Sequence, residues 1–199
     1  MENIQIYKWP IEPKYKLLEH DKYGMREVHQ ILKKPRFHSG LDITAETMTD
    51  VHPASIGKVI FAGLDAKIAT GQDPWNHRYG NMVTILDEYG RKVIYAHLRE
   101  IYVQEGDIVT FDDVIAKSGC SGGSRIPHLH LEIRKDINCH SGEANTINPI
   151  LLLPPRNLEL LNEEFTEEPY ATIWRKALYT NEFVTDDNIP YANDKKYIR

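Results

Sequence analysis

The sequence predicts a mainly β domain with an antiparallel core, followed by a C-terminal extension of different character. Three observations carry this expectation. Short apolar runs rich in β-branched residues recur from residue 41 onward. Turn residues separate them at hairpin spacing. Beyond Pro154-Pro155 the composition changes, and aromatic residues recur in a polar background.

Residues 1–35 contain Trp9-Pro10 and Pro13 and little periodicity, which suggests loops and short strands with a turn near Tyr23-Gly24. The expected strands are Lys58–Ala62, Met82–Leu86, Lys92–His97, Asp113–Ser118 and His128–Arg134. Asp87–Gly90 and Glu105–Asp107 are turns. Residues 64–80 form a long connection, and loops of this length are often functional. Trp75 and His77 within it are candidates to border a groove, or to sit on an ordinary surface loop. Gly119–Ser124 is glycine-rich, but a phosphate loop would continue with Lys and a helix. Here Arg125-Ile126-Pro127 and a strand follow, so the glycines are expected to let the chain turn sharply. After Pro155, Leu158–Phe165 suits a short helix. Tyr170, Trp174, Tyr179 and Phe183 are expected to pack, because large aromatics gain from burial. The division is therefore 1–155 for the main domain and 156–199 for an accessory extension.

A chain of 199 residues can bury one sizeable core. Its charge of −5 argues against a nucleic-acid partner, since such proteins are usually basic. No apolar run is long enough to form a transmembrane segment. The first ten residues lack the basic and apolar regions of a signal peptide. Two cysteines, Cys120 and Cys139, are too few for a disulfide framework and are expected to be unpaired.

The chemistry concentrates in two motifs. His38-Ser39-Gly40-Leu41-Asp42 and His128-Leu129-His130 supply three zinc-type ligands and one spare imidazole. On a strand, residues i and i+2 share a face, so His128 and His130 project together, roughly 6–7 Å apart at a rise of about 3.3 Å per residue. Either could then be the ligand. His38 and Asp42 are four apart, too far to share an ion on a straight strand, and Ser39-Gly40 does not suit a helix interior. A bend at Gly40 would bring them together. Three protein ligands leave a fourth position free, which is the arrangement of zinc sites that act on substrates. Nine histidines make chance pairs possible, so His20, His29, His52 and His140 are expected to be structural or solvent-facing.

These motifs, with several others in order, resemble the lysostaphin-type (LytM-like) zinc metalloendopeptidases of bacterial cell walls. That family shows H-x-G-x-D, Y-x-H and H-x-H, which here read His38 to Asp42, Tyr95-Ala96-His97 and His128 to His130. Tyr23-Gly24-Met25-Arg26 resembles its F-G-x-R. Ala54 to Val59 resembles A-x-x-x-G-x-V, Tyr79-Gly80-Asn81 its Y-G-N, Val103 to Val109 its V-x-x-G-D-x-V, and Asn148-Pro149 its closing N-P. The likeness spans about residues 9–155.

The resemblance implies two sheets enclosing a groove with one Zn2+ in it. His38, Asp42 and His130 would bind the ion, and His97 and His128 would be catalytic. Tyr23 and Arg26 would be structural or would touch substrate. The implied activity is hydrolysis of peptide bonds in peptidoglycan, cross-bridge or stem-peptide, outside the cytoplasm in the periplasm or cell wall. Histidine suits the proton transfers because its pKa lies near working pH. No H-E-x-x-H helix is present to supply a glutamate base. A second reading is an inactive relative that binds a partner and regulates another hydrolase. Such a relative should lack a ligand or a catalytic histidine, and this chain lacks neither. A carrier module is a third reading, suggested by Val103–Ser118, but it needs an exposed lysine in a tight hairpin, and no such pattern stands out.

Overall fold

In the computed structural model, the residues described are 7–156 apart from 16, 19, 28–34, 66–78 and 125. Among them are eleven β-strands and a 3-10 turn at Pro149–Leu151. The strands are β1 Gly24–Arg26, β2 Arg36–His38, β3 Gly40–Thr44, β4 Asp50–Val51, β5 Gly57–Leu64 and β6 Asn81–Asp87. They continue with β7 Lys92–Ile101, β8 Ile108–Val109, β9 Ala116–Ser118, β10 His128–Arg134 and β11 Thr146–Ile147. Every pairing is antiparallel. β1 and β2 form a small two-stranded sheet, and the other nine strands form one large sheet. The mainly β, antiparallel expectation is met. The second sheet is smaller than a pair of matched sheets would be.

β10 lies at the centre of the site. One edge pairs with β7, and the other pairs first with β3 and then with β11. Its residues alternate strictly. Leu129, Leu131 and Ile133 enter the hydrophobic core with Leu41 and Ile43 of β3, Val83 and Ile85 of β6, and Val93 and Tyr95 of β7. His128, His130 and Glu132 occupy the opposite face. A one-residue slip would drive the imidazoles into the apolar core and the leucines into the site, so core packing itself fixes which residues face the site.

The structure refines two boundaries. The strand expected at Asp113 begins at Ala116, because the Asp113 carboxylate accepts from Thr110 N at 2.7 Å and closes a turn there. The strand expected to stop at His97 continues to Ile101. It does so through irregularities opposite Met82 and between Leu98 and Glu100 that change its partners. At the glycine-rich turn, Gly122 has φ 71°, as a sharp turn before β10 requires. Both cysteines are free, Cys120 buried and Cys139 half-buried. Trp75, His77, His29, the proposed helix at 158–165 and the aromatics Tyr170 to Phe183 lie outside the described residues.

Candidate metal centre

The site assembles on three strands. In β3, Leu41 and Ile43 point to the core, which leaves Asp42 on the other face, directly across from His130 of β10. His38 ends β2, and Ser39 separates β2 from β3. The chain therefore changes sheets between the two residues. Its break is at Ser39, and Gly40 lies within β3, paired with Glu132. The reason for a glycine there is close approach. A Cβ at Gly40 would lie 2.5 Å from Leu131 O and 2.6 Å from His130 Cε1. The His130 ring occupies the space a side chain would take.

Three donor atoms converge. Asp42 Oδ1 lies 3.2 Å from His38 Nε2 and 2.8 Å from His130 Nδ1, and the two nitrogens are 3.2 Å apart. A tetrahedral ion with bonds of about 2.0–2.1 Å separates its ligands by about 3.3 Å, so the triangle already has near the required size. Two imidazoles and a carboxylate are the donor types zinc accepts. The three residues form a group able to hold a metal ion.

His97 and His128 stand beside this triangle. Their ring centroids are 4.7 Å apart, and that of His97 is 5.8 Å from that of His130. His128 Nε2 is 3.6 Å from Asp42 Oδ1. His97 reaches the site through an unusual backbone. Residues 93 and 95 face the core, so simple alternation would send residue 97 inward as well. Its φ of 63°, in a bulge opposite Met82, turns it to the site face and returns Leu98 to the core. Such a conformation in a non-glycine residue costs energy and persists only when its surroundings hold it. Here His97 N donates to Tyr79 O at 2.8 Å, and His97 Nδ1 lies 2.8 Å from Ser121 O.

The orientation of each ring is fixed from behind. His38 Nδ1 donates to Lys22 O at 2.8 Å, His97 Nδ1 to Ser121 O, and His128 Nδ1 to Ile126 O at 2.8 Å. A carbonyl can only accept, so these contacts place the proton on Nδ1 and turn a bare Nε2 toward the centre. His130 is reversed. Its Nδ1 faces the triangle and its Nε2 lies 3.4 Å from Glu132 Oε2. Arg26 Nη2 donates to the outer Asp42 oxygen, Oδ2, at 2.9 Å, which leaves Oδ1 for the centre. Arg26 therefore supports the site by holding Asp42, while the Tyr23 hydroxyl lies 3.0 Å from Thr146 Oγ1.

Electrostatics divides the imidazoles. Burial, then the neighbouring His128 and His130, push His97 well below the usual histidine range. Burial also lowers His38. For His130 burial acts downward, but hydrogen bonds to Asp42 and Glu132 outweigh it and raise its pKa to about 9. Burial would raise Asp42, yet the charges of His38 and His128 and hydrogen bonds from His130 and His38 hold it well below the usual carboxylate range. Without a metal, then, a proton on His130 holds the triangle together, and a metal must displace it. Metal affinity should therefore fall as pH drops below about 9, by about tenfold per pH unit for one displaced proton. Chelator competition across pH measures this. Metal analysis of His38→Ala and Asp42→Ala should show loss of the ion. Full occupancy in either variant would remove that residue from the ligand set.

The structure thus brings His38, Asp42, His97, His128 and His130 into one cluster. His20 lies outside it, with Nε2 3.3 Å from Asp21 Oδ1. Sequence reading missed Glu132, Tyr79, Arg134 and Ser121 as members of the site. Glu132 was accessible, because His128, His130, Glu132 and Arg134 occupy alternate positions of one strand.

Comparison with known proteins agrees with this architecture. Residues 36–149 match the model of Peptidase family M23. Over 133 residues the chain is 33% identical to the DD-carboxypeptidase/endopeptidase Mpg of Neisseria meningitidis, covering 67% of this chain and 26% of that protein. Over 127 residues it is 28% identical to the peptidoglycan DD-endopeptidase ShyA of Vibrio cholerae, covering 63% and 26% respectively. The chain spans about a quarter of the length of these two curated relatives. Among solved structures, the catalytic domain of the antimicrobial peptidase lysostaphin from Staphylococcus simulans superposes with a TM-score of 0.53 at 26% identity. That match covers 65% of this chain and 86% of that one.

Proposed function

Given that this chain belongs to Peptidase family M23, we propose that it is an active zinc endopeptidase that cleaves peptide bonds in peptidoglycan, outside the cytoplasm. The observation that carries this reading is the pairing of a ready metal triangle with two further imidazoles, all five side chains converging on one point. An inactive relative would have no need to keep His97 in a left-handed conformation aimed at that triangle. The similarity to ShyA, named as a peptidoglycan DD-endopeptidase, supports the substrate class. Among the described residues no helix is long and apolar enough to cross a membrane.

His38 Nε2, Asp42 Oδ1 and His130 Nδ1 would hold the ion. Bound there, zinc supplies Lewis acidity that polarises a carbonyl and acidifies water. His97 is the proton acceptor. Its Nδ1–H is committed to Ser121 O and its low pKa keeps Nε2 bare, so it can take a proton from the attacking water and return it to the leaving amine. His128 is the second imidazole for proton transfer. With Nδ1–H committed to Ile126 O, its bare Nε2 faces the centre beside Asp42 and can accept a hydrogen bond from the attacking water.

Purified peptidoglycan of several cross-link types, incubated with the protein and examined by mass spectrometry, tests the proposal. Released fragments with one consistent new terminus are expected. Zinc-loaded protein that releases none from any type would instead favour the regulatory reading.

The five site residues all precede residue 149, so the extension at 156–199 is proposed to be an accessory element. Residues before the cut are tied to the main domain, since Trp9 Nε1 donates to Pro154 O at 2.9 Å and Arg156 Nη2 donates to Glu12 Oε2 at 2.6 Å. Truncation after Arg156 should leave zinc stoichiometry unchanged. A folded truncate that no longer binds zinc would show that the extension supports a ligand.

A further inference from the structure

Four imidazoles face the centre, and three of them are oriented by backbone carbonyls that no substitution can remove. His130 differs, because the charged side chain of Glu132, and not a carbonyl, is the partner of its outer nitrogen. That carboxylate is 1% exposed and lies on β10 two residues after His130, on the same face. A carboxylate at such depth is costly unless it is paired and hydrogen-bonded. Glu132 is paired on both oxygens. Arg134 Nε donates to Oε1 at 2.6 Å, and Tyr79 Oη donates to Oε2 at 2.7 Å. Arg134 Nη2 donates in turn to Tyr79 Oη at 3.1 Å, which closes the ring of contacts. Oε2, the oxygen steered by Tyr79, is the one that faces His130 Nε2.

We propose that Glu132, held by Tyr79 and Arg134, is a positioning residue that fixes His130 in the Nε2–H form and thereby directs its Nδ1 lone pair to the metal. The inference rests on the reading of His130 as a zinc ligand. It extends that reading to a side chain outside the ligand set. The physical reasoning is direct. An imidazole has one proton to give when neutral, and a carboxylate at Nε2 claims it. Nδ1 is then bare, and the adjacent negative charge raises its basicity as a ligand. The neutral partner at His38, a peptide carbonyl, fixes a tautomer but adds no formal charge. Glu132 therefore strengthens the grip of the site in a way the backbone contacts do not.

The test compares wild type, Glu132→Gln and Tyr79→Phe in the full chain. Zinc affinity is measured by chelator competition, and the His130 tautomer by 15N NMR of the zinc-loaded form. Wild type should bind one zinc with His130 protonated at Nε2. Failure of wild type to bind zinc through His130 would remove the ligand reading itself. With wild-type binding intact, Glu132→Gln should weaken zinc about 10- to 100-fold, the usual effect of losing such a partner. Tyr79→Phe frees Oε2 and should weaken it by a smaller factor. A merely structural role would lower the melting temperature of the variants and leave zinc affinity and tautomer as in wild type, which would overturn the proposal. If Glu132→Gln fails to fold, Tyr79→Phe decides, and unchanged affinity there overturns it equally.

Discussion

Replacement of His97 by Asn is expected to lower peptidase turnover by about 10²–10⁴-fold, the usual scale for the loss of a proton-transfer group. Asn is the informative replacement because residue 97 has φ 63°, and Asn tolerates the left-handed region better than most residues. Alanine there would add backbone strain to the chemical loss. The zinc content should remain, since the metal group comprises His38, Asp42 and His130. His128→Ala should give a rate loss in the same range, again with zinc retained. Single-turnover rates on purified peptidoglycan beside metal analysis separate the outcomes. Normal rates in both variants would sink the catalytic assignment, and loss of zinc from a folded variant would move that histidine into the ligand set.

The second large effect is expected at Gly40, a position with no chemistry of its own. An added methyl group would meet Leu131 O at 2.5 Å and the His130 ring at 2.6 Å. The first contact lies in the β3–β10 pairing, which joins Gly40 to Glu132 and Asp42 to His130. The second displaces a proposed ligand. Gly40→Ala should therefore destabilise the fold by about 1–3 kcal/mol, the usual cost of overpacking. It should also weaken zinc binding in whatever fraction remains folded. Thermal unfolding with and without zinc reads both effects, and the added stability conferred by zinc should shrink in the variant. A variant with wild-type stability and wild-type zinc response would show that β3 moves aside without disturbing the site.

Most of the site was legible because its spacing is tied to strand geometry. His128-Leu129-His130 alternates with the core residues Leu129 and Leu131, and a strand with one buried face must present its polar residues together. The motif order pointed to His38, Asp42 and His97, but not to the backbone that delivers them. The expected bend at Gly40 proved to be a break at Ser39, with the glycine needed for clearance. That clearance depends on a ring ninety positions later in the chain, which no local pattern in the His38–Asp42 segment encodes.

The sequence by itself determined the all-antiparallel class, the places of five of the eleven described strands, the residue types able to hold a metal, and the face on which His128 and His130 stand. These follow from period-two patterning and ligand chemistry, and both are local. Only the tertiary structure decided the rest. Alternation along β7 assigns His97 to the core beside Val93 and Tyr95, and a bulge held by Tyr79 O and Ser121 O turns it to the site. The tautomers are likewise set by Lys22 O, Ser121 O, Ile126 O and the Glu132 carboxylate. Some of these partners are brought in from other strands and loops. A hydrogen bond across the fold depends on three-dimensional approach, and for that reason the last step from residue type to chemical role was written in the packing.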